Sequence, residues 1–339
     1  MSIAARRMWA HSTMFAGHPD MRASSTASLR HRASSRAAAR ADDRTPLAQS
    51  LGRRVEALAG HLQAALDGDE HAIHQARVAT RRLREIVPIV IDTRSRRGER
   101  LRRRLKRLTA ALGPVRELDV ALTLLNTRAE GQPAPAAMAL RAHLTERRRA
   151  AFEHLREACD PGRAGRLLSR LADLVRDRDL ASRRGHGGLP SRERRRLARG
   201  VIDRARDLGT AVADAGAILI VERVHAVRIA AKRLRYALEL TGELRLARTA
   251  ALVSSLRAMQ DVLGKLHDLD VLRTEGGRVR TELPLDSIVA KDLGRLSDDI
   301  DADIRVLHAR YLRGARALAA LTDRVRDRIA PCLDPSIST

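Results

Sequence analysis

The chain has 339 residues, 44% hydrophobic and only 1% aromatic, and its 65 Lys and Arg against 41 Asp and Glu leave a net charge of +24. Such a chain can bury a sizeable core, which must be built from Leu, Ala, Val and Ile, and its surplus of positive charge favours a polyanionic partner. The two cysteines, Cys159 and Cys332, exclude a disulfide framework and a cysteine-based metal site, and no stretch reaches the length of a membrane span, so we expect a cytoplasmic protein with no membrane partner.

The N-terminal segment, residues 1–45, is rich in Ser, Ala and Arg and has no helical apolar stripe of useful length. This composition is typical of disorder, and we predict a disordered basic tail. The opening letters, MSIAARRMWAHSTMF, lack the continuous apolar run of a signal peptide. One folded region is expected over residues 46–335.

A first basic helix is predicted around HAIHQARVATRRLR, residues 71–84. On a helical wheel the apolar side chains gather around Leu83, and we expect Pro88 to kink or shorten the helix. The opposite side carries a row of basic residues, which comprises His74, Arg77, Arg81 and Arg84.

The same pattern occurs twice in the chain. The segment LRRRLKRLTAALGPVRELDV at 101–120 follows the first basic helix, and ERVHAVRIAAKRLR at 222–235 and LVSSLRAMQDVLGKLHDLDV at 252–271 repeat both blocks with an offset of 151 residues. A constant offset over two blocks indicates an internal duplication. The two copies differ at Arg116, which corresponds to His267, and at Glu85, which corresponds to Tyr236.

Further helical patterns cover residues 136–158 and 163–178 in the first copy and 286–328 in the second. The segment RGHGGLPS, 184–191, is the predicted linker between a first half (46–183) and a second half (192–335). Two similar halves that each need helix partners predict an all-α protein of two related four-helix bundles with pseudo-twofold symmetry.

The motifs HQARVATRRLR and HAVRIAAKRLRY, each followed by LGPVRELDV or LGKLHDLDV, resemble those of the CHAD family, the conserved histidine α-helical domains. The resemblance covers about residues 46–331 and implies two four-helix bundles flanking a basic groove or pore. It also implies non-catalytic binding of inorganic polyphosphate and association with polyphosphate granules. The residues to which it points are His74, Arg77, Arg81, Arg82, Arg84, His225, Arg228, Lys232, Arg233 and Arg235. Further basic residues, on the helix that follows in each half, are Lys106, Arg107, Arg257 and Lys265.

A phosphate polymer presents closely spaced negative charge and no bases. Arginine forks in a continuous strip suit such a ligand, because each guanidinium can bind phosphate oxygens bidentately. The alternative interpretation of the strip is a solvated charged face stabilised by nearby Glu and Asp. A second candidate function, weak or sequence-independent binding of nucleic acid, is disfavoured because the aromatic residues that would stack on bases are scattered, as at Phe152, Tyr236 and Tyr311.

An enzyme that acts on phosphorylated substrates with a metal is the weakest alternative. No nucleophile, P-loop or ExExK motif is recognisable, so we predict no catalytic residue and no cofactor. A metal pair formed by His71 with His74 would correspond to Glu222 with His225 in the second copy, and this change of ligand argues against a metal site.

We expect structural roles for the aspartates and glycines that recur in both copies. We expect Asp119 and Asp270 to bind arginine or to cap helices. We expect Gly113 and Gly264 to permit a turn or close helix packing.

Overall fold

The computed structural model describes residues 45–92, 94–128, 135–183 and 189–333. All regular structure in these residues is helical, as the composition predicts. The unit Arg44–Thr339 is one compact body. Apart from Thr45, the predicted basic tail lies outside the described residues, and so does most of the predicted linker.

The helices of the first half are α1 (Pro46–Leu66), α2 (Glu70–Val90), α3 (Arg96–Arg128), α4 (Pro135–Ala158) and α5 (Pro161–Arg183). Those of the second half are α6 (Ser191–Ala215), α7 (Val221–Glu243), α8 (Ala250–Thr281) and α9 (Ile288–Ile329), followed by a 3-10 turn (Ala330–Cys332). The helices predicted over 136–158, 163–178 and 286–328 are therefore present. None of the described helices is both long enough and apolar enough to span a bilayer.

Local sequence signals explain where the first basic helix begins and ends. Asp69 caps α2, since its carboxylate oxygen Oδ1 accepts a hydrogen bond of 2.6 Å from the backbone N–H of Ala72. Gly68 precedes this cap with a φ of 98°, a conformation that glycine adopts without strain. The helix passes through Pro88 and ends two residues later, at Val90.

The two halves are each built by helices that pack on their neighbours in the chain. In the first half α1 packs on α2 and α5, α2 packs on α3, and α3 packs on α4 and α5. In the second half α6, α7, α8 and α9 form a closed ring, because α9 also packs on α6. The halves contact each other through α2 and α7 and through α3 and α8, so the two basic helices meet.

Leucine and alanine dominate the core, as expected. Leu83 on α2 and Leu234 on α7 are both fully buried, which fixes the faces that these helices turn away from the core. The basic side chains opposite Leu83 are not simply solvated, however: Arg77, Arg81 and Arg84 are half-buried where α2 packs against the second half.

The fourth helix of each half differs. In the second half α9 runs without interruption for 42 residues, whereas the corresponding segment of the first half is split into α4 and α5. Pro161 begins α5, and the residue before a proline is disfavoured in helical conformation, so the break falls at Asp160. Leu312 lies 151 residues beyond Pro161 and allows α9 to continue. The break creates an opening beside α3.

Candidate functional site

A cavity of about 200 Å³ lies where α2 faces α7, and we call it the central cavity. Five cationic side chains from the two helices line it, together with one carboxylate and a buried tyrosine. The residues that line it are Arg81, Arg84, Glu85, Thr109, Arg228, Ile229, Lys232, Arg233 and Tyr236. The structure thus brings together basic residues that the sequence separates by 151 positions.

Burial and mutual repulsion destabilise the charged forms of these cations. Burial, together with the neighbouring charges of Arg228, Arg81 and Arg77, lowers the pKa of Lys232 to about 7. Burial, followed by the charge of Arg81, also lowers the pKa of Arg77 to about 10. Burial lowers the pKa of Arg84, with Arg233 as the next cause. The central cavity is therefore a region of concentrated, poorly hydrated positive charge.

Two carboxylates hold the innermost arginines. A nitrogen of Arg77, Nη2, lies 3.3 Å from Oε1 of Glu117, and Nη2 of Arg228 lies 3.9 Å from Oδ1 of Asp268. Like the two arginines, Glu117 and Asp268 are separated by 151 residues, so the same pair recurs in both halves. Burial raises the pKa of Asp268, although Arg228 opposes this shift. These pairs position Arg77 and Arg228 but neutralise only part of the local charge.

Glu85 is the one carboxylate among the residues that line the central cavity. Its oxygen Oε2 lies 2.6 Å from Nη2 of Arg204 on α6, which is a close ion pair. Burial raises the pKa of Glu85, and the pairing with Arg204 opposes that effect. Glu85 also stabilises the charge of Arg84, but because it is shared with Arg204 it offsets only part of the positive charge of the lining.

The histidines near the central cavity are neutral around pH 7. The Nδ1 atoms of His225 and His267 lie 3.1 Å apart, so one ring must donate a proton and the other must accept it. Burial, with a further contribution from Arg228, lowers the pKa of His267 to about 3, and burial also lowers the pKa of His225. Exposed His74 has a pKa lowered by partial burial and by Arg116. These rings supply hydrogen bonds rather than charge.

A second group of predicted basic residues gathers around Glu239 instead. The carboxylate of Glu239 lies 2.9 Å from Nη1 of Arg235, 3.0 Å from Nη2 of Arg257 and 3.8 Å from Nη2 of Arg82. Arg82, Glu239 and Arg257 line a wide groove of about 960 Å³. The predicted basic residues are therefore not all in one place: Arg82 and Arg257 line this groove, and Arg235 binds the same carboxylate, Glu239.

The remaining predicted residues lie on the helices that follow. Lys106 on α3 and Lys265 on α8 are exposed and do not line the central cavity. Arg107 is also exposed and lines a different cavity, between α3 and α5.

The repeated aspartates bind arginine, as predicted. Oδ1 of buried Asp119 accepts a hydrogen bond of 2.5 Å from Nε of Arg148, and Oδ1 of Asp270 accepts one of 2.7 Å from Nη2 of Arg273. A turn at the repeated glycines was the wrong expectation, because both lie inside helices. A Cβ at Gly113 would come within 2.6 Å of Nη1 of Arg77, so this glycine makes room for the arginine.

Comparisons with known proteins identify the family of the chain. The CHAD domain family model matches residues 49–275, which is well over half of the chain. The chain belongs to the CHAD domain family.

Among solved structures, the CHAD domain from the plant Ricinus communis has a TM-score of 0.56 and 24% sequence identity, over 82% of this chain and 90% of that one. PptA from Streptomyces chartreusis has a TM-score of 0.55 and 19% identity, over 82% of this chain and 98% of that one. At these identities the likeness shows the fold. No curated protein is significantly similar in sequence.

Sequence reasoning missed the acidic members of this CHAD site. Glu117 and Asp268 lie in the segments VRELDV and LHDLDV, at equivalent positions one residue after Arg116 and His267. Comparing the two copies for recurring acids as well as for recurring bases would have found them. Glu239 could not be found in this way, because Pro88 occupies its position in the first copy.

The described part of this CHAD domain holds no group of three or more His, Cys, Asp or Glu side chains placed to share a metal ion. His71 and His74, the pair that the sequence disfavours as metal ligands, belong to no such group in this part of the chain. His71 instead lies near His61, with 6.1 Å between their ring centroids.

Proposed function

We propose that this CHAD domain binds inorganic polyphosphate in the central cavity and does not cleave it. The observation that carries the proposal is the convergence of five cationic side chains from α2 and α7 on one cavity, in which the single lining carboxylate is already paired. Arginine and lysine side chains placed this close together suit a ligand that has a negative charge on every repeating unit. The resemblance of the two basic motifs implies the same ligand.

An anion in the central cavity would relieve an unfavourable feature of the empty protein. The lowered pKa of Lys232 means that its charged form is disfavoured there, and an adjacent anion reverses that effect. The Nε atom of Arg228 is buried without a hydrogen-bond partner in the described part of the chain. A bound phosphate chain should therefore stabilise the folded state.

The recurring contacts also favour an internal duplication that produced two related helical bundles. The first basic helix spans Glu70–Val90 and the second spans Val221–Glu243, so they begin 151 residues apart. Arg77 with Glu117 and Arg228 with Asp268 repeat the same ion pair at the same offset. A pseudo-twofold axis between α2 and α7 would place equivalent cations on both sides of one cavity.

Nucleic acid is the second candidate ligand, because its backbone also offers phosphates. The central cavity favours polyphosphate, since it offers a single aromatic side chain among its lining residues. That residue, Tyr236, is only 8% exposed, and the guanidinium carbon of Arg235 lies 4.7 Å from the centre of its ring. A ring in this position does not provide an open surface for stacking a base.

A competition titration tests the choice of ligand. Labelled long-chain polyphosphate would be displaced by unlabelled polyphosphate, single-stranded DNA, RNA, ATP or orthophosphate at matched salt. We expect long-chain polyphosphate to compete best, because connected phosphates engage several cations at once, and we expect affinity to fall as salt rises. Equal affinity for ATP and for the long chain would contradict the proposal, and stronger competition by nucleic acid would favour the second candidate.

The non-catalytic part of the proposal has a separate test. Incubation of the protein with polyphosphate and Mg²⁺ should release no phosphate and shorten no chain. Turnover that disappears in a His74→Ala variant would instead make the protein an enzyme. If binding occurs in cells, we expect the protein in the cytoplasm and at polyphosphate granules, which fluorescence microscopy of a tagged protein would test.

A further inference from the structure

A second basic cavity of about 170 Å³ opens between α3 and α5, next to the break between α4 and α5, and we call it the outer cavity. It shares no lining residue with the central cavity. The residues that line it are Arg104, Arg107, Leu108, Ala158, Cys159, Arg163, Arg166 and Leu167. Four arginines therefore line it, and no acidic side chain does.

Arg104 has an unsatisfied donor at this place. Its Nη1 atom is buried and has no hydrogen-bond partner in the described part of the chain. Desolvation lowers the pKa of Arg104, and the charges of Arg170 and Arg166 lower it further. A buried guanidinium nitrogen without a hydrogen-bond partner costs stability, and an anion would satisfy it.

Asp160, the acid at the break between α4 and α5, is already bound by Arg163. The carboxylate of Asp160 accepts a hydrogen bond of 2.7 Å from the backbone N–H of Arg163, and its Oδ2 lies 3.0 Å from Nε of the same arginine. Nη1 of Arg163 donates to the backbone carbonyl of Glu157 at 2.6 Å. These bonds fix Arg163 at the rim and leave Arg104, Arg107 and Arg166 as the cations available to a ligand.

The arginines of the outer cavity do not recur at the equivalent positions of the second half. Adding 151 to the four arginine positions gives four uncharged residues, namely Ser255, Ala258, Gly314 and Ala317. The continuous helix α9 also removes the break beside which the cavity opens. The four arginines of the outer cavity are therefore not part of the repeated basic pattern.

We propose that the outer cavity is a second anion site, which binds a short inorganic oligophosphate such as pyrophosphate independently of the central cavity. A water molecule needs roughly 10–15 Å³ of such space, so the cavity has room for more than a single small ion. Several guanidinium groups around it can each donate two hydrogen bonds to phosphoryl oxygens. The apolar side chains of Leu108 and Leu167 form part of the wall and strengthen these charge interactions by excluding water.

Calorimetric titration with pyrophosphate tests the site. The titrated protein carries Arg81→Ala and Arg84→Ala, which weaken anion binding at the central cavity. In this background we expect one pyrophosphate to bind, and we expect Arg104→Ser with Arg166→Ala, which installs the second-half residues, to reduce that affinity about 100-fold. The matched control, Arg305→Ala with Arg310→Ala, removes the same charge from exposed positions on α9 and should change affinity less than threefold.

Cys159 provides a second measurement, because it lines the outer cavity and is 5% exposed. Adding Cys332→Ser leaves Cys159 as the sole cysteine. In the background with Arg81→Ala and Arg84→Ala, which we call the central-cavity background, pyrophosphate should slow the alkylation of Cys159 by iodoacetamide. This protection should disappear when Arg104→Ser and Arg166→Ala are added. Circular dichroism would verify that each variant folds. Absence of pyrophosphate binding in the central-cavity background, or an equal loss in the α9 control, would overturn the proposal. Neither result bears on polyphosphate binding at the central cavity.

Discussion

The two basic helices carry cations at equivalent positions but in different surroundings. On α2, Glu85 lies beside the cations and is bound by Arg204, whereas on α7 the equivalent residue is Tyr236, which is buried. Arg81 on α2 corresponds to Lys232 on α7, and Lys232 has a pKa near 7. Both helices thus supply charge to the central cavity, but only α7 supplies a cation that can lose its proton near neutral pH. An arginine keeps its charge in this range.

The largest expected effect comes from removing the cations of either helix. Arg81→Ala with Arg84→Ala on α2 should weaken polyphosphate binding about 100-fold, because each charge-assisted contact contributes about 1.5–3 kcal/mol and solvent compensates in part. Lys232→Ala with Arg233→Ala on α7 should have a similar effect. Calorimetry with long-chain polyphosphate measures both.

Removing these charges should not unfold the protein. The four side chains face a cavity rather than the leucine core, and loss of their mutual repulsion should keep or raise the melting temperature of the empty protein. The control variant Arg305→Ala with Arg310→Ala should bind almost normally. A loss in this control as large as in the cavity variants would mean that net charge alone drives binding. A loss confined to the α2 or to the α7 variant would mean that the two helices do not share one ligand.

A smaller effect distinguishes α7 from α2: the affinity for polyphosphate should depend on pH through α7 and not through α2. In the empty protein Lys232 has a pKa of about 7, and a bound anion beside it must raise that pKa, so the protein takes up a proton on binding above pH 7. Affinity should therefore be highest below pH 7 and fall by up to about tenfold per pH unit above it, until the pH reaches the pKa of the complex. Titrations between pH 6 and 9 in buffers of different ionisation enthalpy would measure the proton uptake.

The matched variant is Lys232→Arg, which keeps the charge and removes the titration. We expect it to bind polyphosphate with little dependence on pH from 7 to 9. Burial lowers the pKa values of His225 and His267 in the empty protein, and both rings remain in Lys232→Arg, so any pH dependence that they cause would persist in this variant. A pH dependence that persists unchanged in Lys232→Arg would show that another group titrates.

Three features could be predicted from the sequence: the helical fold, the meeting of the two basic helices, and the arginine partners of Asp119 and Asp270. Each depends on periodicity or on a repeated spacing. The sequence did not reveal that some of the predicted basic residues gather around Glu239 rather than at the central cavity. Arg235 binds Glu239, four residues along the same helix, and Arg257 reaches Glu239 from α8. That placement depends on which carboxylate each flexible side chain can reach in three dimensions.

The outer cavity lay beyond sequence reasoning for a related reason. The RLRRRLKRL run on α3 could be read as an exposed charged surface, and nothing in it shows that Arg104 is shielded. The cavity requires the break at Asp160, which brings Arg163 and Arg166 on α5 to the same place. Pro161 signals a helix start, but the packing of α5 on α3 follows only from the tertiary structure.

The smallest effect distinguishes the two repeated glycines. A methyl group added at Gly264 would meet no neighbouring atom within 4 Å, so Gly264→Ala should stabilise α8 by about 1 kcal/mol through helix propensity alone. Gly113→Ala should gain less, because its Cβ would lie 2.6 Å from Nη1 of Arg77 and displace that guanidinium from Glu117. Thermal or urea unfolding measures the difference. Adding Arg77→Ala removes the obstacle, so in that background Gly113→Ala should recover the full gain. Equal gains at both glycines in the presence of Arg77 would mean that this arginine does not occupy the space that the missing side chain leaves open.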